Sequence, residues 1–136
     1  MCDQNLFVMM GADQTLPAFY NVCQHRAHEL LPPGTGNVGS LLVCPYHAWA
    51  YKTEGTLHGT PRSNNRHDFD KADYPLKGAR LEVFLSCVFI NLDDDATPLS
   101  EQAADLEADI RERVPYLDDL KAPTTGMLGD GHTHAG

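Results

Sequence analysis

Cys23-Gln24-His25 and Cys44-Pro45-Tyr46-His47 are the two stretches that decide how this chain is read. Each supplies one soft thiolate and one imidazole, and eighteen residues separate His25 from Cys44. Each follows a short apolar run, Pro17–Val22 before the first and Ser40–Val43 before the second, and both runs read as strands. Four ligand-type side chains therefore stand on two loops at strand ends. A structural zinc site is one use for such a set. Zinc sites usually pair like ligands, as C-x2-4-C with H-x3-5-H, and mixed Cys/His pairs fit that template poorly. A set of unrelated core residues is the blandest alternative.

The mixed pairs suit a two-iron centre better. In a 2Fe–2S cluster each iron needs two protein ligands beyond the bridging sulfides. Two loops that each give one Cys and one His can clamp such a cluster, thiolates on one iron and imidazoles on the other. Two neutral rings in place of two thiolates make the cluster less negative, so an added electron costs less. Such centres span roughly −150 to +300 mV, against about −400 mV for four-Cys plant-type clusters.

The rest of the composition bounds the reading. The 136 residues suffice for one domain with a modest core, and 42% of them are hydrophobic. No apolar run reaches the length of a membrane span. Met1-Cys2-Asp3-Gln4-Asn5 lacks the pattern of a secretory signal, so a cytoplasmic protein is expected. Residues 1–92 carry seven basic and eight acidic side chains, whereas residues 93–136 carry three and eleven, so most of the net −9 lies late in the chain. No basic footprint for nucleic acid exists. The acidic half reads as a solvated surface and tail, or more sharply as a surface for a basic redox partner. Four cysteines could form two disulfides in a secreted protein, but the Cys/His clusters point to metal. Cys87, inside an apolar strand pattern, is expected to be a buried free thiol. Cys2 carries no readable signal.

Along the chain, Asn5–Met10, Pro17–Val22, Ser40–Val43, Ala48–Tyr51, Arg80–Leu85 and Cys87–Leu92 read as strands, the last two as a hairpin around Ser86. Thr53-Glu54-Gly55 reads as a hairpin turn. Thr97 and Pro98 suit the N-cap and first position of a helix, in which Leu99, Ala103, Leu106, Ile110 and Val114 recur at helical spacing up to Pro115. That apolar stripe is expected to pack against the domain. Lys121–Gly136 reads as a Gly- and Thr-rich tail. The expected organisation is an all-β domain of small antiparallel sheets over residues 1–96, followed by a C-terminal helix and acidic tail over 97–136.

Asn21-Val22-Cys23-Gln24-His25-Arg26-Ala27 and Cys44-Pro45-Tyr46-His47-Ala48-Trp49 resemble the Rieske domain of ring-hydroxylating, or Rieske non-haem iron, oxygenase α subunits. The resemblance runs from about Leu6 to about Asp95. It includes Ala18-Phe19-Tyr20, Gly55-Thr56-Leu57 and Val88-Phe89-Ile90-Asn91-Leu92. It implies a 2Fe–2S cluster on Cys23, His25, Cys44 and His47. The electron would come from a reductase or ferredoxin and leave to a mononuclear Fe(II) in a catalytic oxygenase domain, usually that of a neighbouring subunit. Such an iron uses two His and one carboxylate. That domain follows the Rieske domain in the family, so the hydroxylating activity is not expected of this polypeptide alone. The chain looks like a fragment or shortened form. It begins almost on its first strand, which would leave a sheet edge exposed and makes an oligomer possible. Asp130, His132 and His134 read as a terminal segment or adventitious metal binder rather than as that triad.

Respiratory Rieske proteins carry two further cysteines that form a disulfide beside the cluster. The matching positions here are Tyr46 and His28, so the potential is expected toward the lower end of the Rieske range. The resemblance also implies a hydroxyl bond from Tyr51 to a cluster cysteine, the alternative being a surface tyrosine. Trp49 is expected to pack beneath the ligand loops. Gly59-Thr60-Pro61 is either a third loop shielding the cluster or an ordinary turn. Arg26 suits a docking surface or plain solvent. His28, His58 and His67 are not expected to be ligands. The favoured function is one-electron transfer within an oxygenase system. Its rivals are a stand-alone Rieske ferredoxin and, of another class, a structural zinc module.

Overall fold

The computed structural model describes residues 4–11, 13–61 and 68–119. Its strands are β1 (Leu6–Val8), β2 (Ala18–Tyr20), β3 (Leu41–Val43), β4 (Ala50–Lys52), β5 (Leu57–Gly59), β6 (Gly78–Phe84) and β7 (Cys87–Asn91). All pairings are antiparallel. They make two small sheets, ordered β1-β2-β6-β7 and β3-β4-β5. Apart from β5, every strand falls within or overlaps a run read as a strand from sequence.

The ring of Phe19 helps join the two sheets. Phe19 of β2 is buried, and its ring lies over Gly55 in the turn between β4 and β5. Gly55 has φ +86°, and a Cβ there would stand 2.4 Å from Phe19 Cε1. Both facts demand glycine. The Gly55 N–H closes the turn on Lys52 O at 2.9 Å, as the Thr53-Glu54-Gly55 pattern predicts. In the small sheet, Leu42, Tyr51 and Leu57 face one another in register and are all buried. Cys23, Cys44 and Trp49 belong to the same core cluster. The two candidate cysteine ligands are thus built into the core.

The β6–β7 hairpin turns at Leu85 and Ser86, with φ of 50° and 64°. Two successive left-handed residues are what a tight two-residue hairpin needs. Every residue of β7 is exposed. Cys87 is therefore not the buried thiol expected from its apolar neighbours, because β7 is an edge strand with one neighbour, β6.

The helical expectation also needs correction. Two pieces form, α1 (Leu99–Gln102) and α2 (Ala104–Arg113), broken at Ala103, and neither has a buried residue. Leu106 is 52% exposed while Leu99, Ala103, Ile110 and Val114 are half-buried, so the stripe is only partly covered. Pro98 is the N-cap and Thr97 makes no capping bond. The capping acceptor comes from β6 instead: Glu82 takes the N–H groups of Leu99 at 3.0 Å and Ser100 at 3.4 Å. Arg80 of the same strand holds the carbonyls of Asp94 and Ala96. In α2, Asp105 and Glu107 lie in the first turn and Arg111 and Arg113 in the last, the order that suits the helix dipole. No described helix is long and apolar enough to cross a membrane.

Candidate metal centre

The two Cys/His segments fold into loops closed by the same hydrogen-bond pattern. In the first, Cys23 O accepts from Ala27 N–H at 2.9 Å, and Cys23 N–H donates to His28 O at 2.9 Å. In the second, Cys44 O accepts from Ala48 N–H at 3.0 Å, and Cys44 N–H donates to Trp49 O at 2.8 Å. Each loop reverses through a left-handed alanine, Ala27 at φ 53° and Ala48 at φ 56°. Both backbone groups of each cysteine are thereby used within its own loop, which fixes where the sulfur points.

These loops bring like groups together. Cys23 and Cys44 are free thiols, 1% and 2% exposed. Burial pushes the Cys23 thiol above its ordinary range, the Tyr51 hydroxyl opposes that rise, and the neighbouring Cys44 adds to it. The His25 and His47 rings lie 4.7 Å apart between centroids at 77°. Burial, then the charges of His47 and Arg26, push the His25 ring below its ordinary range, toward the neutral form a metal requires. Both rings are half-buried while Gln24, Arg26, Pro45 and Tyr46 around them are exposed. The sulfur side of the site faces the core and the imidazole side faces out.

Neighbouring side chains fix these groups. The Tyr51 hydroxyl is 3.4 Å from Cys23 Sγ and accepts from the Gln24 N–H at 3.1 Å. With Cys23 as a thiolate, the hydroxyl is the donor. Burial, then that bond to Cys23, hold the Tyr51 phenol above its ordinary range, so it keeps its proton. Trp49 is buried and stacks on His25 at 4.8 Å and 12°. Tyr46 lies 3.7 Å from the His47 ring and 5.3 Å from the His28 ring. Tyr46 and His28, the two positions at which respiratory relatives would carry cysteines, thus meet across the two loops. His28 engages Glu29 O at 2.6 Å. His58 is exposed. Cys2, His67 and the Asp130, His132 and His134 group lie outside the described residues.

One buried residue in this frame was not singled out from the sequence. Asn21 Oδ1 accepts from the N–H groups of Leu30 and Leu31 at 3.0 Å each, and Nδ2 donates to Leu31 O at 2.7 Å. It ties the strand entering the first loop to the segment leaving it. A lone Asn beside a ligand has no signal of its own, and the span to Leu31 is visible only once folded.

The donor set fits a two-iron cluster. His47 Nδ1 is buried without a hydrogen-bond partner among the described residues, as a nitrogen reserved for metal would be. Residues 1–84 match the Rieske [2Fe-2S] domain family. The chain belongs to that family. This Rieske domain is 41% identical over 118 residues to the carnitine monooxygenase oxygenase subunit of Escherichia coli (strain K12), covering 87% of this chain and 31% of that protein. It is 36% identical over 116 residues to the 2-aminobenzenesulfonate 2,3-dioxygenase subunit alpha of Alcaligenes sp, covering 81% of this chain and 29% of that one. A solved quaternary ammonium Rieske monooxygenase superposes with a TM-score of 0.79 at 36% identity, over 87% of this chain and 32% of the other. The chain thus spans about a third of the length of the oxygenase subunits it matches.

Proposed function

We propose that this Rieske domain passes electrons one at a time through a 2Fe–2S cluster held by Cys23, Cys44, His25 and His47, serving an oxygenase α subunit. The observation that carries the reading is the sorting of the site: two buried free thiols on one side, two half-buried imidazoles on the other, and His47 Nδ1 without another partner. When bound, the cluster would supply a single-electron couple, with Cys23 and Cys44 holding it from the core side and His25 and His47 from the solvent side.

The chain's own residues prepare that site. The matched loops hold both sulfurs in the core. The Tyr51 hydroxyl stabilises negative charge on the Cys23 sulfur, and Trp49 fixes the plane of His25. No residue of the site is required to act as acid, base or nucleophile. Electron exchange occurs at the imidazole edge, where Tyr46 is 54% exposed and Arg26 is exposed beside His25. The donor is a reductase or ferredoxin, and the acceptor is a mononuclear iron in a catalytic oxygenase domain of the same or a neighbouring subunit. With Tyr46 and His28 in place of a disulfide pair, the potential lies toward the lower end of the Rieske range. The oxygenase served is of the kind that oxidises quaternary ammonium compounds; the support is the 41% identity to the Escherichia coli carnitine monooxygenase subunit, against 36% to the aminobenzenesulfonate enzyme.

Reconstitution with iron and sulfide tests this. The expected product is coloured, takes up one electron per chain reversibly, and has a midpoint below zero. A colourless protein that binds stoichiometric zinc and takes up no electron would support the structural zinc module instead.

A further inference from the structure

Two buried side-chain polar atoms have no hydrogen-bond partner among the described residues: His47 Nδ1 and Thr60 Oγ1. Metal ligation accounts for the first. The second belongs to a residue only 5% exposed. A buried hydroxyl left without a partner forfeits its hydrogen bonds to water with nothing in return, and folded proteins rarely carry one.

The position of Thr60 suggests what that hydroxyl serves. It follows β5 directly, and Gly59, the last residue of β5, faces Ala50 across the strand pair. The strand pairing ends there; continued one step, the antiparallel register would set Thr60 opposite Trp49, two residues beyond His47 and one past the left-handed Ala48. The segment is anchored: Lys71 Nζ donates to His58 O at 3.0 Å. The two partnerless atoms therefore belong to neighbouring parts of one site, the second ligand loop and the residue beside it.

We propose that the Thr60 hydroxyl donates a hydrogen bond to a sulfur of the bound cluster and, with Tyr51, tunes its potential. This rests on the cluster reading above. Cluster sulfurs are anionic acceptors, and a hydroxyl aimed at them favours the state with the added electron. Thr60 is a positioning and tuning residue with no direct part in the chemistry.

The test uses the reconstituted chain with Thr60→Val, which keeps the side-chain volume and deletes the donor, and Thr60→Ser, which keeps the donor. Thr60→Val is expected to lower the equilibrium constant for reduction by about three- to tenfold, roughly 30 to 60 mV at 59 mV per tenfold for one electron. Thr60→Ser is expected to hold the wild-type midpoint. Electron–nuclear double resonance of the reduced protein should show an exchangeable proton coupling in wild type and Thr60→Ser that Thr60→Val lacks. An unchanged midpoint in Thr60→Val, with its cluster signal intact, overturns the inference and leaves the proposed function standing. If Thr60→Val does not load, the wild-type spectrum decides: an exchangeable coupling that survives Tyr51→Phe and disappears in Thr60→Ala supports the inference, and no such coupling in wild type overturns it. A wild-type chain without any cluster signal removes the proposed function and this inference together.

Discussion

Tyr51→Phe is the sharpest single-atom probe of how this site works. The substitution deletes one oxygen from a side chain that is fully buried and leaves the ring packed against Leu42 and Leu57. Two contacts disappear: the 3.4 Å contact to Cys23 Sγ and the 3.1 Å acceptance of the Gln24 N–H. Their consequences separate. Gln24 is exposed, so water can replace part of its lost acceptor, and the stability cost falls near the lower end of the usual range, about 1 kcal/mol. The sulfur contact acts on the redox equilibrium. Hydrogen bonds to charged groups contribute about 1.5–3 kcal/mol, and only the part that grows when the cluster gains an electron counts, which is taken as roughly 1 kcal/mol. At about 1.4 kcal/mol and 59 mV per tenfold, the midpoint should fall by roughly 40 mV. Spectroelectrochemical titration of both proteins, with urea melts alongside, measures the two effects independently. A midpoint that stays put or rises in Tyr51→Phe would refute the assigned role of the hydroxyl, whatever the melts show.

Other outcomes follow from the backbone and the buried acids. Gly55→Ala forces a Cβ into the Phe19 ring at φ +86° and should destabilise the domain by about 2 kcal/mol or more in a urea melt. Ala48→Gly relieves a left-handed alanine and should gain about 0.5–1 kcal/mol without moving the cluster spectrum. Cys23 and Tyr51 both have folded pKa values raised by burial, so the unfolded chain loses these protons first. In the cluster-free protein their contributions are fully present at neutral pH and are lost as pH rises past about 8.5 for the thiol and about 10 for the phenol. Urea midpoints from pH 7 to 11 should fall accordingly, and Tyr51→Phe should flatten the upper part of the decline. His47→Ala should leave the fold in place by circular dichroism while abolishing the cluster's visible absorption.

Much of this arrangement was legible because its signals are local. Cys-x-His and Cys-x2-His name the candidate ligands by spacing alone, and short apolar runs before each place them at strand ends. The Gly55 turn and the Ser86 hairpin were readable for the same reason. What escaped depends on contacts distant in sequence. No local pattern says that Ala27 and Ala48 take left-handed backbone, because alanine is not a residue that advertises it. Asn21 earns its role from Leu30 and Leu31, and Glu82 caps a helix seventeen residues later, which displaced the expected role of Thr97. Cys87 and the Leu99–Val114 stripe misled because apolar periodicity tells which residues share a face, and burial depends on whether another layer covers that face.

Mössbauer spectroscopy of the chain reconstituted with enriched iron bears most directly on the central claim. Cysteinate and histidine pairs on separate irons should give two quadrupole doublets of equal area, of which only one shifts to ferrous values on one-electron reduction. A single iron environment, or iron that leaves on gel filtration while zinc stays bound, would contradict it.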